Sequence, residues 1–239
     1  MKKYILSALA LVAIAFTSCE NDPASTAYGE GMLDLSAISA TIEESTRATS
    51  TDNFLVNITS SRGENVGSWT IATLPAHIML REGDYILEVA SAESHADVAR
   101  EGYFSGYREF NITSGQTTTV ETIICPLESL KVSVEFEGEI TEAMSDDCGT
   151  TVALDEASLR VTKDDSAPIY FRPTGEQNTL SVVFEGTVDG AAERFETEIP
   201  GVRLGQWRHI IIKMTYEDGV RVFSAGIAPW IEDDDIVVE

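Results

Sequence analysis

The 239-residue sequence predicts an all-β protein, two tandem antiparallel β-sandwiches behind an export segment. Three observations predict it. Apolar residues recur with period two rather than 3.6: Phe54, Val56 and Ile58 alternate with Leu55, Asn57 and Thr59, and Tyr85, Leu87 and Val89 with Ile86, Glu88 and Ala90. The same holds for Val132, Val134 and Phe136, and for Ile210, Ile212 and Met214. The runs are closed by turn-forming clusters, Arg81-Glu-Gly-Asp, Thr113-Ser-Gly-Gln, Arg172-Pro-Thr-Gly and Glu217-Asp-Gly, as hairpins require. Finally, a 43% apolar composition is enough to bury a core over this length.

The elements follow in chain order. Lys2 and Lys3 precede an apolar run over residues 5–16, and Thr17-Ser18 leads to Cys19. This run is too short for a stable membrane span and is expected to be a signal peptide, residues 1–18. The Phe-Thr-Ser-Cys ending resembles a lipobox. That resemblance implies cleavage before Cys19 and its lipidation, and hence a membrane partner through the acyl chains. With Glu20 and Asp22 directly after it, the junction is similar to lipoproteins of Bacteroides and its relatives, displayed on the outer leaflet of the outer membrane. Residues 19–30 read as a polar tether.

Residues 31–40 then form a first strand, and the small, polar stretch 44–52 carries Arg47 in a loop. Over 74–89 one strand ends at Leu80, Gly83 turns the chain and Tyr85 opens the next strand. Residues 90–100 fit a helical turn. Residues 103–125 read as a hairpin around Gly115. Pro126-Leu-Glu-Ser marks a boundary, giving an N-terminal sandwich over 31–126 and a C-terminal one over 127–239, each of ordinary domain size. No later apolar run reaches membrane length, and no segment alternates for the ten or so residues of an outer-membrane barrel strand.

The 74–89 and 103–125 stretches together resemble the N-terminal transthyretin-like sandwich of Bacteroidota fimbrillins and their anchor lipoproteins. An uncharacterised family of Bacteroides lipoproteins is similar too. This resemblance implies a non-enzymatic pilus or adhesin subunit. It further implies that a protease cuts after Arg47, that the first strand leaves, and that another pilus subunit supplies a strand by β-strand addition. The C-terminal strand after Pro229, with Asp233-Asp-Asp and Ile236 and Val238, is the implied donor. The alternative is a monomeric surface lipoprotein that binds a glycan or a host protein.

Charge and motifs narrow the rest. Forty acidic against 16 basic residues give a net charge of −24, which repels nucleic acid. His77, His95 and His209 are scattered, without a metal-ligand spacing; His209 reads as a surface or satisfied strand residue. The signatures of serine hydrolases, zinc proteases and phosphate-binding loops are absent from the sequence, so no catalytic residue, metal or cofactor is expected. Asp164-Asp165 and the triad at 233–235 read as solvated charge. Trp69 and Trp207 read as core residues at strand starts, with Trp230 as a further aromatic. Asp165-Ser-Ala resembles the short O-glycosylation signal of Bacteroides secreted proteins, which makes Ser166 the candidate acceptor. Cys125 sits in an apolar run and Cys148 in a polar loop, so two readings stay open: a disulfide between them, or two separate thiols.

Overall fold

The computed structural model describes residues 29–42, 50–165, 167–175 and 178–227. Cys19, Arg47, Ser166 and the donor strand after Pro229 lie outside the described residues. The chain runs through β1 (Glu30–Asp34), β2 (Ser39–Ile42), β3 (Leu55–Ser60), β4 (Asn65–Thr70), a 3-10 turn (Ile71–Thr73), β5 (His77–Arg81), β6 (Gly83–Ala90), β7 (Val98–Ala99), β8 (Ser105–Ile112), β9 (Thr117–Thr119) and β10 (Thr122–Cys125). It continues through β11 (Leu130–Glu137), α1 (Glu139–Ala143), β12 (Gly149–Leu154), β13 (Ala157–Val161), β14 (Ile169–Phe171), β15 (Asn178–Val188), β16 (Ala191–Val202), β17 (Trp207–Glu217) and β18 (Val220–Ile227). The protein is all-β, with sheets ordered β5-β1-β9, β10-β2, β4-β3-β6-β8, β18-β17-β11-β14-β7 and β13-β12-β15-β16.

Period-two alternation puts the expected side chains inside: Val56 and Ile58 on β3, Tyr85, Leu87 and Val89 on β6, and Ile210, Ile212 and Met214 on β17 are all buried. Two hairpins close on Asp-Gly pairs with both residues at positive φ, Asp189 (48°) with Gly190 (74°) and Asp218 (50°) with Gly219 (78°). This is the turn that matches the twist of an antiparallel pair. The buried side chains form two clusters. One draws its members from Leu33 through Leu127, plus Tyr170. The other runs from Leu130 through Met214, centred on Phe184, whose ring stacks on Phe223 at 5.7 Å and meets Phe136 edge-on at 6.2 Å. Among the described residues, packing links the two through Tyr170 and Val98. Tyr170 packs in the first cluster, and β7 pairs with β14 so that Val98 packs against the second.

Several expectations are corrected. Residues 90–100 form no helical turn; they carry β7 across to β14. Gly115 (φ 70°) does turn the chain, but β9 does not fold back on β8: it crosses to pair parallel with β1. β2 with β10 and β11 with β17 are also parallel, so two of the sheets are mixed and β10-β2 is parallel, while β4-β3-β6-β8 and β13-β12-β15-β16 are antiparallel throughout. Such pairs join strands far apart in sequence, and alternation carries no sign of them. β15, β16 and β17 reach 11, 12 and 11 residues, longer than the alternation suggested. Of the two readings open for Cys125 and Cys148, the structure has two free thiols, each buried in a different cluster. Trp69 packs against the first cluster at the end of β4 rather than its start. Trp207, expected in a core, is 41% exposed.

Candidate functional site

The first strand among the described residues sits in the middle of a sheet. β1 pairs antiparallel with β5 over five positions and parallel with β9 over three. Its flanks are tied as well: Glu82 N–H donates to Gly29 O at 2.7 Å, Gly115 N–H to Glu30 O at 2.8 Å, Met32 N–H to Gln116 O at 2.9 Å and Leu35 N–H to Ala76 O at 2.8 Å. Gly31 permits this fit, because a Cβ there would lie 2.5 Å from Thr113 O and 2.9 Å from Gln116 O. Leu33 and Leu35 drop into the first core, as does Ala40 from β2. Between the two strands Asp34 Oδ1 accepts the Ser36 N–H at 2.9 Å. That bond, more than the nearby His77, holds the carboxyl below its ordinary range. The segment is therefore a plug: main-chain bonds run along both edges of β1 and along one edge of β2, apolar side chains sit in a core, and Arg47 lies beyond the last described residue.

On the far face of the other large sheet the parallel register of β11 and β17 sets Ser133 opposite His209. The Trp207 indole N–H donates to Ser133 Oγ at 3.0 Å; Ser133 Oγ lies 2.7 Å from His209 Nδ1, and His209 Nε2 lies 2.9 Å from Glu135 Oε2. The Lys131 ammonium sits 4.3 Å from the centre of the Trp207 ring. His209 is thus satisfied at both ring nitrogens, as its strand position suggested. This ladder was not read from the sequence, because parallel partners 76 residues apart leave no local signal.

His95 lies at the junction of the two clusters, Nε2 3.0 Å from Ser129 Oγ and its ring stacked on Tyr103 at 4.6 Å. Burial, and then the Arg172 guanidinium, push its pKa down. His77 stands beside Asp34, Nε2 to Oδ1 at 3.6 Å. The three histidines are not brought together, and no group of three or more metal-ligating side chains occurs among the described residues. Asp165 accepts from Arg100, and no helix among the described residues is long and apolar enough to cross a membrane.

A family model described as a domain of unknown function, DUF4493, matches residues 29–234. No curated protein matches the chain. Among solved structures, a candidate cell adhesion protein from Bacteroides fragilis NCTC 9343 is similar at 13% identity, covering 86% of this chain and 99% of that one, with a TM-score of 0.45. A fimbrial assembly protein from Parabacteroides distasonis ATCC 8503 is similar at 10% identity over 84% and 98%, TM-score 0.43. A candidate adhesin from Bacteroides thetaiotaomicron VPI-5482 is similar at 8% identity over 83% and 96%, TM-score 0.48. Likeness at this level says nothing of function.

Proposed function

We propose that this chain, which belongs to the DUF4493 family, is a non-enzymatic cell-surface lipoprotein, held at the outer membrane through Cys19, that acts as a fimbrillin-like pilus or adhesin subunit and assembles by β-strand addition. The observation that carries the reading is the position of β1: an N-terminal strand that is central in its sheet, with partners on both edges. Cleavage after Arg47 and departure of the strand would leave five pairing positions open on β5, three on β9 and four on β10. Two facing unpaired edges over an opened apolar core are unstable in a monomer and accept an extended segment from another chain. Alternate residues Ile236 and Val238 of a neighbour's C-terminal strand suit the seats of Leu33 and Leu35. Residues 31–126 and 127–239 act as the two units of the subunit, since among the described residues the apolar packing that crosses between the cores is confined to Val98, Leu127 and Tyr170.

The test is a chain that starts at residue 48, compared with residues 29–239 by size-exclusion chromatography. The short chain is expected to form higher-order species that a synthetic 29–46 peptide suppresses, while the long chain stays monomeric. A short chain that remains monomeric overturns the reading.

A further inference from the structure

The face of the β4-β3-β6-β8 sheet turned away from the first core carries an open cleft of about 850 Å³, within the size range of ligand sites. Register places four of its side chains in one row across the four strands: Ser68, Asn57, Glu88 and Tyr107. Glu93, in the segment after β6, forms one wall. Ile124 on β10 and Glu128 beyond it form the other. That second wall stands close because residue 106 is glycine; a Cβ there would lie 2.0 Å from the Ile124 carbonyl oxygen. The side chains of Asn57, Glu88 and Tyr107 engage no other described residue by hydrogen bond or ion pair.

We propose that this cleft binds a neutral glycan, with Tyr107 stacking on the C–H face of a sugar ring while Glu88 and Asn57 hydrogen-bond its hydroxyls. Each part follows from the chemistry of the row. A tyrosine that is 69% exposed offers a flat apolar surface with a polar tip, which suits a ring that is apolar on its face and polar at its edge. A hydroxyl both donates and accepts. A carboxylate beside an amide supplies acceptors and donors at one spacing, and the Ser68 and Ser105 hydroxyls extend that supply along the cleft.

Charge selects within the class. Glu88, Glu93 and Glu128 line the cleft with no lysine or arginine among its described lining, so uronic and sialic acids are repelled. Glu128 is half-buried, and burial raises its pKa, which favours a hydroxyl-bonded over an ion-paired role. A cationic peptide would gain from the same carboxylates, but the exposed flat face of Tyr107 beside hydroxyl-bonding groups favours the sugar. The site is complete in the uncut chain, so this proposal stands or falls separately from strand exchange.

Affinity electrophoresis of residues 29–239 tests it. The gels carry yeast mannan, mixed-linkage β-glucan, starch or polygalacturonate, and fluorescent oligolysine is titrated in parallel. Retardation is expected in at least one neutral polysaccharide and not in polygalacturonate. Tyr107→Ala and Glu88→Gln should each weaken it at least ~10-fold, the weight of a central contact in a binding site. Trp207→Ala, an exposed aromatic on a different sheet, should leave it unchanged. Unchanged thermal melting of all three variants separates binding from folding. Absence of retardation in every neutral gel, binding only to polygalacturonate or oligolysine, or neutral binding that both cleft variants leave intact would overturn the proposal.

Discussion

Replacing Leu33 with alanine asks directly whether the first strand is built into the core. Leu33 is fully buried in β1, paired with Ile78 on one side and Thr118 on the other. Three carbons are removed, worth about 2.4 kcal/mol at about 0.8 per carbon. A site walled by two hydrogen-bonded strands collapses poorly, and the residual cavity raises the loss toward about 4 kcal/mol. Urea unfolding of residues 29–239 measures it, with Trp207→Phe and Trp230→Phe introduced so that Trp69, packed on the first core, is the sole reporter. Met32→Ala is the control: Met32 is only partly buried, its neighbour Met79 is 60% exposed, and the expected loss is about 1 kcal/mol or less. A Leu33→Ala loss below about 1 kcal/mol, or one no larger than that of the control, would refute the plug description.

The remaining predictions are more local. Both thiols are buried, with burial pushing Cys125 up to about 11 and raising Cys148 as well; residues 29–239 should therefore react slowly with a thiol reagent at pH 8 and yield two thiols on unfolding, whereas none on unfolding would mean a disulfide. His95 is held below its ordinary pKa, so the unfolded chain takes up its proton first, and stability should fall as pH drops through about 6.5. His95→Gln should flatten that part of the pH profile of urea midpoints; superimposable profiles would contradict the assignment. Residues 127–239 alone should show a β-rich circular dichroism spectrum and a cooperative melt, because among the described residues Val98 is the one apolar side chain from the first half packed on the second core; a chain that stays unfolded would favour a single intertwined unit.

Local physics was legible in the sequence and non-local pairing was not. Alternation at Phe54 to Ile58, at Tyr85 to Val89 and at Ile210 to Met214 identified strands and their buried faces, because burial on one side of a pleated strand writes itself every second residue. Glu217-Asp-Gly identified its hairpin, since Asp218 and Gly219 tolerate positive φ. What failed needs information from distant residues. Thr117 to Thr119 read as the return leg of a hairpin, yet β1 offers it a parallel edge more than eighty positions earlier. Val98 and Ala99 read as helical because a two-residue strand has no period. Trp207 read as core for its place at a strand start; the Lys131 ammonium over its ring and the bond to Ser133 hold it on the surface instead. The row of Ser68, Asn57, Glu88 and Tyr107 is spread over four strands and appears only once register is known.

Limited digestion of the mature protein with an arginine-specific protease tests strand exchange most directly. Residues 45–52 hold no large apolar side chain, the composition expected of a protease-accessible site. Cleavage is expected after Arg47 ahead of other sites, with release of the peptide that ends there and appearance of SDS-resistant multimers, and Arg47→Ala should remain uncut and monomeric. A nicked protein that keeps its N-terminal peptide and stays monomeric at high concentration would contradict assembly by strand addition.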